Sequence, residues 1–239
     1  MASLKQHTCA PPCYPDRSSR GNIWGEGYAP KEYEAPILSQ DPRPVWADVK
    51  DCKAADVGER LTYSDKGVRS FVKEVCSFDA DRQRWLNPKG RTGIVGRGML
   101  GRFGPNHAAD CIVTRIDPTT QKFQAIVIDR VDGDGTNLAW PGGMVDPGED
   151  VPVTLQKELT QEAVEESNVV ERLFRECREG IVYRGWVDDH RNTDDAWMET
   201  TAVHFHATGD IADGLSLQVT DRKEIAGVSW YALSTPSTR

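Results

Sequence analysis

The sequence predicts a mixed α/β sandwich, with two or three helices packed on a sheet of six or seven strands and a smaller irregular, partly β region before it. Three observations predict this architecture. Short β-rich runs recur from residue 111 onward, helical periodicity is clear over 151–177, and residues 1–60 are rich in Pro, Asp and Tyr without a period. We predict an N-terminal region of residues 1–108 followed by a domain of residues 109–239.

The composition is that of an ordinary folded protein with an acidic balance. The 239 residues include 29 basic and 37 acidic side chains, a formal charge of −8, which argues against nucleic-acid and membrane-surface binders because both need a basic footprint. No apolar run approaches the length of about 18 residues that a membrane span needs, and no secretory signal core opens the chain. We therefore predict an intracellular protein, mitochondrial or cytoplasmic, without membrane contact of its own.

Six cysteines are scattered along a chain too large to need disulfide staples. Cys9 and Cys13 are the only close pair, and no second pair completes a zinc site. The cysteines predict free thiols in a reducing compartment.

The first part of the chain predicts an extended arm with short turns, because prolines recur without helical or strand periodicity. A mixed pattern from Ser70 to Trp85 predicts one or two short strands. Aromatic residues argue against disorder of the arm, and we expect them to dock on the rest of the chain. They are Trp24, Tyr28, Tyr33 and Trp46.

The segment from Asn87 to Asp110 contains six glycines and a literal G-x-G-x-x-G at Gly96, Gly98 and Gly101. This pattern binds a dinucleotide only between a strand and a helix. Pro105 follows with no helical pattern, so we reject a Rossmann site.

Three arginines lie among these glycines: Arg91, Arg97 and Arg102. Their guanidinium groups can pair with phosphate, and the glycines let the backbone approach a ligand closely. A tight interdomain loop with solvated arginines explains the same residue types equally well, so both interpretations stay open.

Short β-rich runs bounded by turn residues predict six strands. They lie at 111–116, 124–131, 181–187, 200–207, 216–219 and 226–233. His204 and His206 alternate onto one face of their strand, a spacing that a metal could use. A partly exposed strand pair is the more common explanation, and we assign these histidines no role.

The stretch from Trp140 to Glu166 joins a Gly- and Pro-containing loop to a helix. Asp150 can cap this helix, and Pro152 suits its first turn. Glu158 and Glu162 are four residues apart and share one face, where two carboxylates can hold a hard cation. An adjacent apolar stripe should anchor the helix to the sheet: Val151, Leu155, Leu159 and Ala163.

A second helix should follow. Asn168 and Glu171 predict a capping box at its start, and Gly180 predicts its end. Its apolar side would be formed by Val169, Leu173, Phe174 and Cys177.

The loop and first helix resemble the Nudix box: Gly, five residues, Glu, seven residues, Arg-Glu, an aliphatic, any residue, Glu-Glu, any residue, Gly, an aliphatic. Five positions are in register: Gly143, Glu149, Glu158, Leu159 and Glu162. The departures are Lys157 for the Arg, Gln161 for the first Glu of the pair, and Val164-Glu165 for the closing Gly-aliphatic.

Longer segments resemble one branch of the Nudix family, the ADP-ribose pyrophosphatases of animal mitochondria and the homologous C-terminal domain of ADP-ribose-gated melastatin-type cation channels. They are residues 91–110, 139–149 and 185–200. The resemblance implies a Nudix α/β/α sandwich with a mixed sheet and an N-terminal region that shapes the substrate cleft. The family pattern would continue into a closing helix after the last strand.

The resemblance also implies a bound Mg²⁺, with Mn²⁺ as a substitute. Its ligands would be Glu158, Glu162 and the carbonyl of Gly142, oxygen donors of the kind Mg²⁺ prefers. Glu149 would be a further catalytic acid, which Lys157 can orient only as a point charge.

Residues 187–200 have a bland interpretation as a polar surface loop. The resemblance instead implies a substrate loop, with Asp189 and Arg191 contacting the terminal ribose and the diphosphate. Arg suits a diphosphate and Asp suits ribose hydroxyls. Arg91, Arg97 and Arg102 are assigned to substrate binding on the same grounds.

The expected function is Mg²⁺-dependent hydrolysis of ADP-ribose to AMP and ribose 5-phosphate, by a monomer unless the chain is part of a channel. A sensor domain that binds ADP-ribose with little or no turnover is the alternative, because Gln161 cannot act as an anionic ligand or base. A Nudix enzyme for another nucleoside diphosphate is disfavoured. The catalytic base stays open among Glu149, Asp188, Asp194, Asp195 and Glu199.

Overall fold

A computed structural model describes residues 28–62, 70–72, 76–132, 135–164, 166–177, 179–219 and 225–233. The chain divides into two compact units that interleave in sequence. The first contains Met1–His107, Val145–Asp150 and Gly185–Thr200, and the second contains Ala108–Met144, Val151–Arg184 and Thr201–Arg239. The division into a region of residues 1–108 and a domain of residues 109–239 stays a prediction.

Short elements make up the N-terminal part of the first unit. Strand β1 (Lys31–Glu34) pairs in parallel with β4 (Ile94–Gly98), and β2 (Phe78–Asp79) pairs antiparallel with β3 (Arg84–Trp85). The two short strands expected between residues 70 and 85 are thus confirmed.

The expectation of an arm without helices is wrong. A 3-10 helix spans Pro36–Ser39, and α1 spans Ala54–Thr62. Val57 and Leu61, four residues apart, are the buried positions of α1. Only two apolar positions mark this helix, too few for a recognisable period.

The aromatic residues of the arm dock on the chain, as expected. The Tyr28 hydroxyl donates to Asp194 Oδ2 at 2.7 Å and accepts the amide of Gly93 at 2.8 Å. Trp46 packs against a buried cluster that contains Ile37 and Leu38. Trp24, Cys9 and Cys13 lie outside the described residues, while the cysteines described are free thiols as predicted.

The G-x-G-x-x-G segment serves packing within the first unit. Gly98 has φ +60°, and a Cβ on it would lie 2.6 Å from Thr193 Cγ2; a Cβ on Gly101 would lie 2.4 Å from the Trp46 ring. Strand β5 (Gly104–Ile116) follows the motif where a dinucleotide fold would have a helix. The rejection of a Rossmann site is therefore confirmed.

The long strands form a mixed seven-stranded sheet in the order β11-β6-β5-β10-β9, with β7 paired to β6 and β8 paired to β5. Its further strands are β6 (Phe123–Asp132), β7 (Gly135–Ala139), β8 (Gly142–Met144), β9 (Glu179–Val187), β10 (Ala196–His206) and β11 (Ile225–Ala232). The helices are α2 (Val151–Glu162), α3 (Ser167–Glu176) and α4 (Gly209–Gly214). The predicted α/β sandwich is confirmed.

Helix α2 forms where it was predicted, with Val151 half-buried, and its cap by Asp150 stays a prediction. It begins at Val151 with Pro152 in its first turn, and Leu155, Leu159 and the following Ala163 are fully buried. The acidic positions Glu158 and Glu162 therefore lie on a helix that is anchored along one side.

The predicted boundaries of α3 are wrong. The helix begins at Ser167, its cap position Glu166 makes no side-chain capping bond, and it ends at Glu176. The amides of Val169 and Val170 donate to the Glu166 carbonyl at 3.1 and 3.3 Å, so the first turn begins before Asn168 and leaves it inside the helix. Gly180 instead lies in β9.

Of the strand predicted at 216–219, the structure shows an isolated bridge between Leu217 and Val164. In the described part of the chain, no helix is long and apolar enough to span a membrane.

Candidate functional site

A glycine pair at the start of β8 lies at the centre of the candidate site. Strand β8 runs antiparallel to β5 with Asp110 opposite Gly142, and the Cys111 amide donates to the Pro141 carbonyl at 2.7 Å. Hydrogen-bonded pairs alternate along an antiparallel ladder, so the amide and carbonyl of Gly142 point away from β5. Both groups are thereby available to side chains on the other side of β8.

Glu162 and Arg130 form hydrogen bonds with the amide and carbonyl of Gly142. Glu162 Oε2 accepts the Gly142 amide at 2.9 Å, while Arg130 Nη2 donates to the Gly142 carbonyl at 2.8 Å and to Glu162 Oε1 at 2.7 Å. The contacts close a ring of three hydrogen bonds that joins β6, β8 and the end of α2. Arg130 was missed by our sequence reasoning because it lies outside the box.

Glu158 lies against the second glycine. A Cβ on Gly143 would be 2.5 Å from both Cδ and Oε1 of Glu158, so only glycine leaves room for this carboxylate. Lys157 Nζ lies 3.9 Å from Glu158 Oε1. The two helix carboxylates are thus both held against the backbone of the glycine pair.

The donor set suits a hard cation. Glu158, Glu162 and the Gly142 carbonyl offer only oxygen atoms, and Mg²⁺ commonly uses one or two carboxylates with waters and substrate oxygens. No group of three or more His, Cys, Asp or Glu side chains that could hold a metal occurs within the described ranges. The two carboxylates and the carbonyl are oxygen donors of the kind that suits a magnesium ion with water or substrate among its ligands.

Glu149 and Gln161 are two further positions of the Nudix box. Glu149 is half-buried, and its amide donates to the backbone carbonyl of Asp146 at 3.0 Å in the turn before α2. Its pairing with Lys157 stays a prediction. Gln161 is exposed on α2.

Asp189 and Arg191 form a local fork within the first unit. Arg191 Nε and Nη2 donate to Asp189 Oδ1 and Oδ2 at 2.8 and 2.7 Å. Burial raises the pKa of Asp189, but the hydrogen bonds and charge of Arg191 outweigh burial, so the pKa lies below its ordinary value. The predicted substrate pair is a pre-formed ion pair.

The three arginines of the glycine-rich segment have different surroundings. The Arg97 side chain is 1% exposed, pairs with both carboxylate oxygens of Glu34 and also donates to the Asp48 carbonyl. The Arg91 guanidinium stacks 3.9 Å above the Tyr28 ring, and the half-buried Arg102 lies near His107. Arg97 has a structural role, so we leave it out of the proposed substrate contacts.

Three acids considered for the catalytic base are structural hubs of the first unit. Asp194 accepts the Tyr28 hydroxyl and both the amide and hydroxyl of Thr92. Asp195 accepts Arg82 and the Gly96 amide. Burial raises the pKa values of both carboxyl groups, although these donors offset part of the effect.

Glu199 is the third hub. It accepts the Ser70 hydroxyl, the Phe71 amide and the Trp197 indole at 2.7–2.8 Å, and burial raises its pKa. A carboxylate with three protein donors is not arranged to activate water. Of the five acids eligible by type, Glu149 is half-buried and Asp188 is exposed.

Comparisons with known proteins show which family the chain belongs to. A family model described as "NUDT9-like, N-terminal domain" matches residues 15–104. The "Putative nudix hydrolase 6" of Caenorhabditis elegans is 37% identical over 230 residues, which cover 92% of this chain and 82% of that protein. The chain belongs to the Nudix hydrolase family.

Two other relatives of the Nudix chain are proteins of different kinds. The mitochondrial ADP-ribose pyrophosphatase of Rattus norvegicus is 37% identical over 232 residues, 87% of this chain and 64% of the rat protein. A "Transient receptor potential cation channel subfamily M member-like 2" of Nematostella vectensis is 40% identical over 231 residues, 87% of this chain. The Nudix chain spans only 14% of that channel-like protein.

Proposed function

We propose that this Nudix chain hydrolyses the diphosphate of ADP-ribose to AMP and ribose 5-phosphate, with Mg²⁺ as its cofactor and Mn²⁺ as a substitute. The observation that carries the proposal is the placement of Glu158 and Glu162 against Gly142 and Gly143. The similarity to the rat ADP-ribose pyrophosphatase supports the choice of substrate.

The reaction adds water across the diphosphate. The water oxygen forms a bond to one phosphorus, and the bond between that phosphorus and the bridging oxygen breaks. The bridging oxygen leaves on the other phosphate, and the protons of the water are lost to the base and the leaving phosphate as the two monoesters separate. Bound Mg²⁺ would neutralise the developing charge and help to activate the water. Glu158 and Glu162 would hold the ion, and their attachment to the rigid glycine backbone would keep both carboxylates in position.

The substrate contacts remain part of the proposal. The exposed portion of the Arg191 guanidinium suits phosphate oxygens, while Asp189 keeps that guanidinium in one orientation. Arg91 and Arg102 stay as further candidates, and Glu149 stays as a catalytic acid. Of the acids considered as the base, we retain Glu149 and Asp188.

Chromatography of ADP-ribose incubated with the purified chain and Mg²⁺ tests the proposal. We expect AMP and ribose 5-phosphate from the wild type, and a loss of about a hundredfold or more in rate from Glu158→Gln and Glu162→Gln. Glu171→Gln, the same change at an exposed position of α3, is the matched control. Turnover at the wild-type rate by both α2 variants would show that the metal site is assigned wrongly.

A second candidate is an ADP-ribose sensor without turnover. Gln161 favours it, because the Nudix box has a carboxylate at this position and an amide is a weaker metal ligand. The similarity to the channel-like protein of Nematostella vectensis supports it too. Saturable ADP-ribose binding without AMP formation, together with turnover gained by Gln161→Glu, would favour the sensor over the enzyme.

A further inference from the structure

We propose that Arg130 is the resident cation of the site formed by Glu162 and the Gly142 carbonyl, and that a divalent ion binds these oxygens only by displacing it. The inference rests on the proposed metal site. It makes Arg130 the residue that sets the metal affinity of this chain.

The geometry carries the first step. A single nitrogen, Arg130 Nη2, donates to the Gly142 carbonyl at 2.8 Å and to Glu162 Oε1 at 2.7 Å. These are two of the three oxygens that the resemblance assigns to the metal. The guanidinium therefore contacts two of the oxygen atoms that would hold the divalent ion.

Charge carries the second step. The Glu162 side chain is 7% exposed, and a buried carboxylate is strongly destabilising unless a cation compensates it. Arg130 supplies that charge in the absence of metal. A divalent ion about 2.1 Å from the Gly142 oxygen would lie less than about 5 Å from Nη2, where two positive charges repel each other.

The third step is that the Arg130 side chain can leave the site. Its side chain is 32% exposed, so the guanidinium can turn into solvent. Its backbone stays in place, because Arg130 lies opposite Asn137 of β7 and Ile225 of β11 in the sheet. Displacement of the side chain thus leaves the strand pairing of β6 intact.

Direct Mn²⁺ binding, followed by the electron paramagnetic resonance signal of the free ion, tests the proposal without substrate. We expect Arg130→Gln to bind Mn²⁺ about tenfold more tightly than the wild type, since the competing charge is removed. Arg175→Gln removes the same charge from an exposed position on α3 and should bind like the wild type. Glu162→Gln should lose binding at this site.

Each result decides a separate point. Weaker Mn²⁺ binding by Arg130→Gln would mean that Arg130 positions the ligands. Unchanged binding would mean that Arg130 does not oppose the ion. Either result overturns the inference. Unchanged binding by Glu162→Gln would instead show that the proposed metal site is wrong.

The wild-type chain gives an independent measurement, which is needed if Arg130→Gln does not fold. The arginine side chains are labelled with ¹⁵N, and the Arg130 guanidinium resonances are assigned by comparison with Arg130→Lys. As Mg²⁺ saturates the site, their chemical shifts should move to the values of a solvent-exposed guanidinium. Resonances that stay unchanged at saturating Mg²⁺ would overturn the displacement of Arg130.

Discussion

The Glu162 carboxylate accepts the amide of Gly142 at 2.9 Å, although the two residues are twenty positions apart in the sequence. This bond fastens the last turn of α2 to the first residue of β8. Because the Gly142 amide faces away from β5, it is free of the sheet ladder and can take a side-chain acceptor. The orientation of one peptide group thereby fixes the position of a candidate metal ligand.

The first prediction concerns Gly143, whose missing side chain leaves room for Glu158. A Cβ at this position would be 2.5 Å from the Glu158 carboxylate, so Gly143→Ala should displace that carboxylate. We expect a loss of about tenfold or more in hydrolysis rate, with a stability cost of about 1–3 kcal/mol from overpacking. AMP formation and urea unfolding measure the two effects.

Gly180→Ala is the matched control, because no atom lies within 4 Å of a Cβ at Gly180 in β9. It should retain the wild-type rate. An equal loss of rate in both variants would contradict the special role of Gly143.

The second prediction concerns the fork between Arg191 and Asp189. Lys keeps the charge of Arg191 but cannot donate along two parallel lines, so Arg191→Lys should release its side chain from Asp189. We expect affinity for ADP-ribose to fall by about tenfold, the loss of roughly one charge-assisted hydrogen bond. Isothermal titration with ADP-ribose measures it, with Arg175→Lys on α3 as the control. Unchanged affinity would remove Arg191 from the substrate contacts.

Helix α2 and its two acids were predictable because their signals are local. A period of four residues, a proline in the first turn and the spacing of the box all lie within one segment of the sequence. The same holds for the glycine pair. By contrast, the approach of Arg130 to Gly142 depends on how β6 and β8 are arranged in the sheet, and no local pattern encodes it.

The polar run from Asn192 to Asp195 has surroundings that the sequence did not reveal. Its residue types are typical of a surface loop, yet the whole run is buried. Asp194 and Asp195 satisfy backbone amides at Thr92 and Gly96, so the run ties together distant parts of the first unit. A single sequence does not distinguish carboxylates that bind backbone amides from carboxylates that bind solvent.

The third prediction concerns Tyr28, which donates its hydroxyl to the fully buried Asp194. Phe would keep the ring under Arg91 but remove this donor, leaving the carboxylate with fewer hydrogen bonds. We expect Tyr28→Phe to lower the free energy of unfolding by about 1–3 kcal/mol. Urea unfolding measures it, and Tyr231→Phe at an exposed position of β11 should change it little. Equal stability of the two variants would contradict the role assigned to Asp194.

The fourth prediction concerns His107, the last residue of the first segment of the first unit. Neither ring nitrogen has a hydrogen-bond partner in the described part of the chain, and the ring makes an edge contact with Phe71. Burial, with a smaller contribution from the charge of Arg102, lowers the pKa of His107 from 6.5 to about 4. The folded chain therefore resists protonation of this imidazole, whereas the unfolded chain accepts it.

The sign of the pH dependence follows from that difference. Between pH 6.5 and about 4 the unfolded state binds more protons at His107, so stability from this group is full above pH 6.5 and falls as the pH falls. A shift of this size corresponds to about 3 kcal/mol at its limit. His107→Phe, which keeps a ring beside Phe71, should therefore lose less stability than the wild type between about pH 7 and about pH 4.5. Urea unfolding at both pH values measures the loss of stability. As a control, His190→Gln at an exposed position should follow the wild type. A parallel loss in all three proteins would show that His107 is not the group responsible.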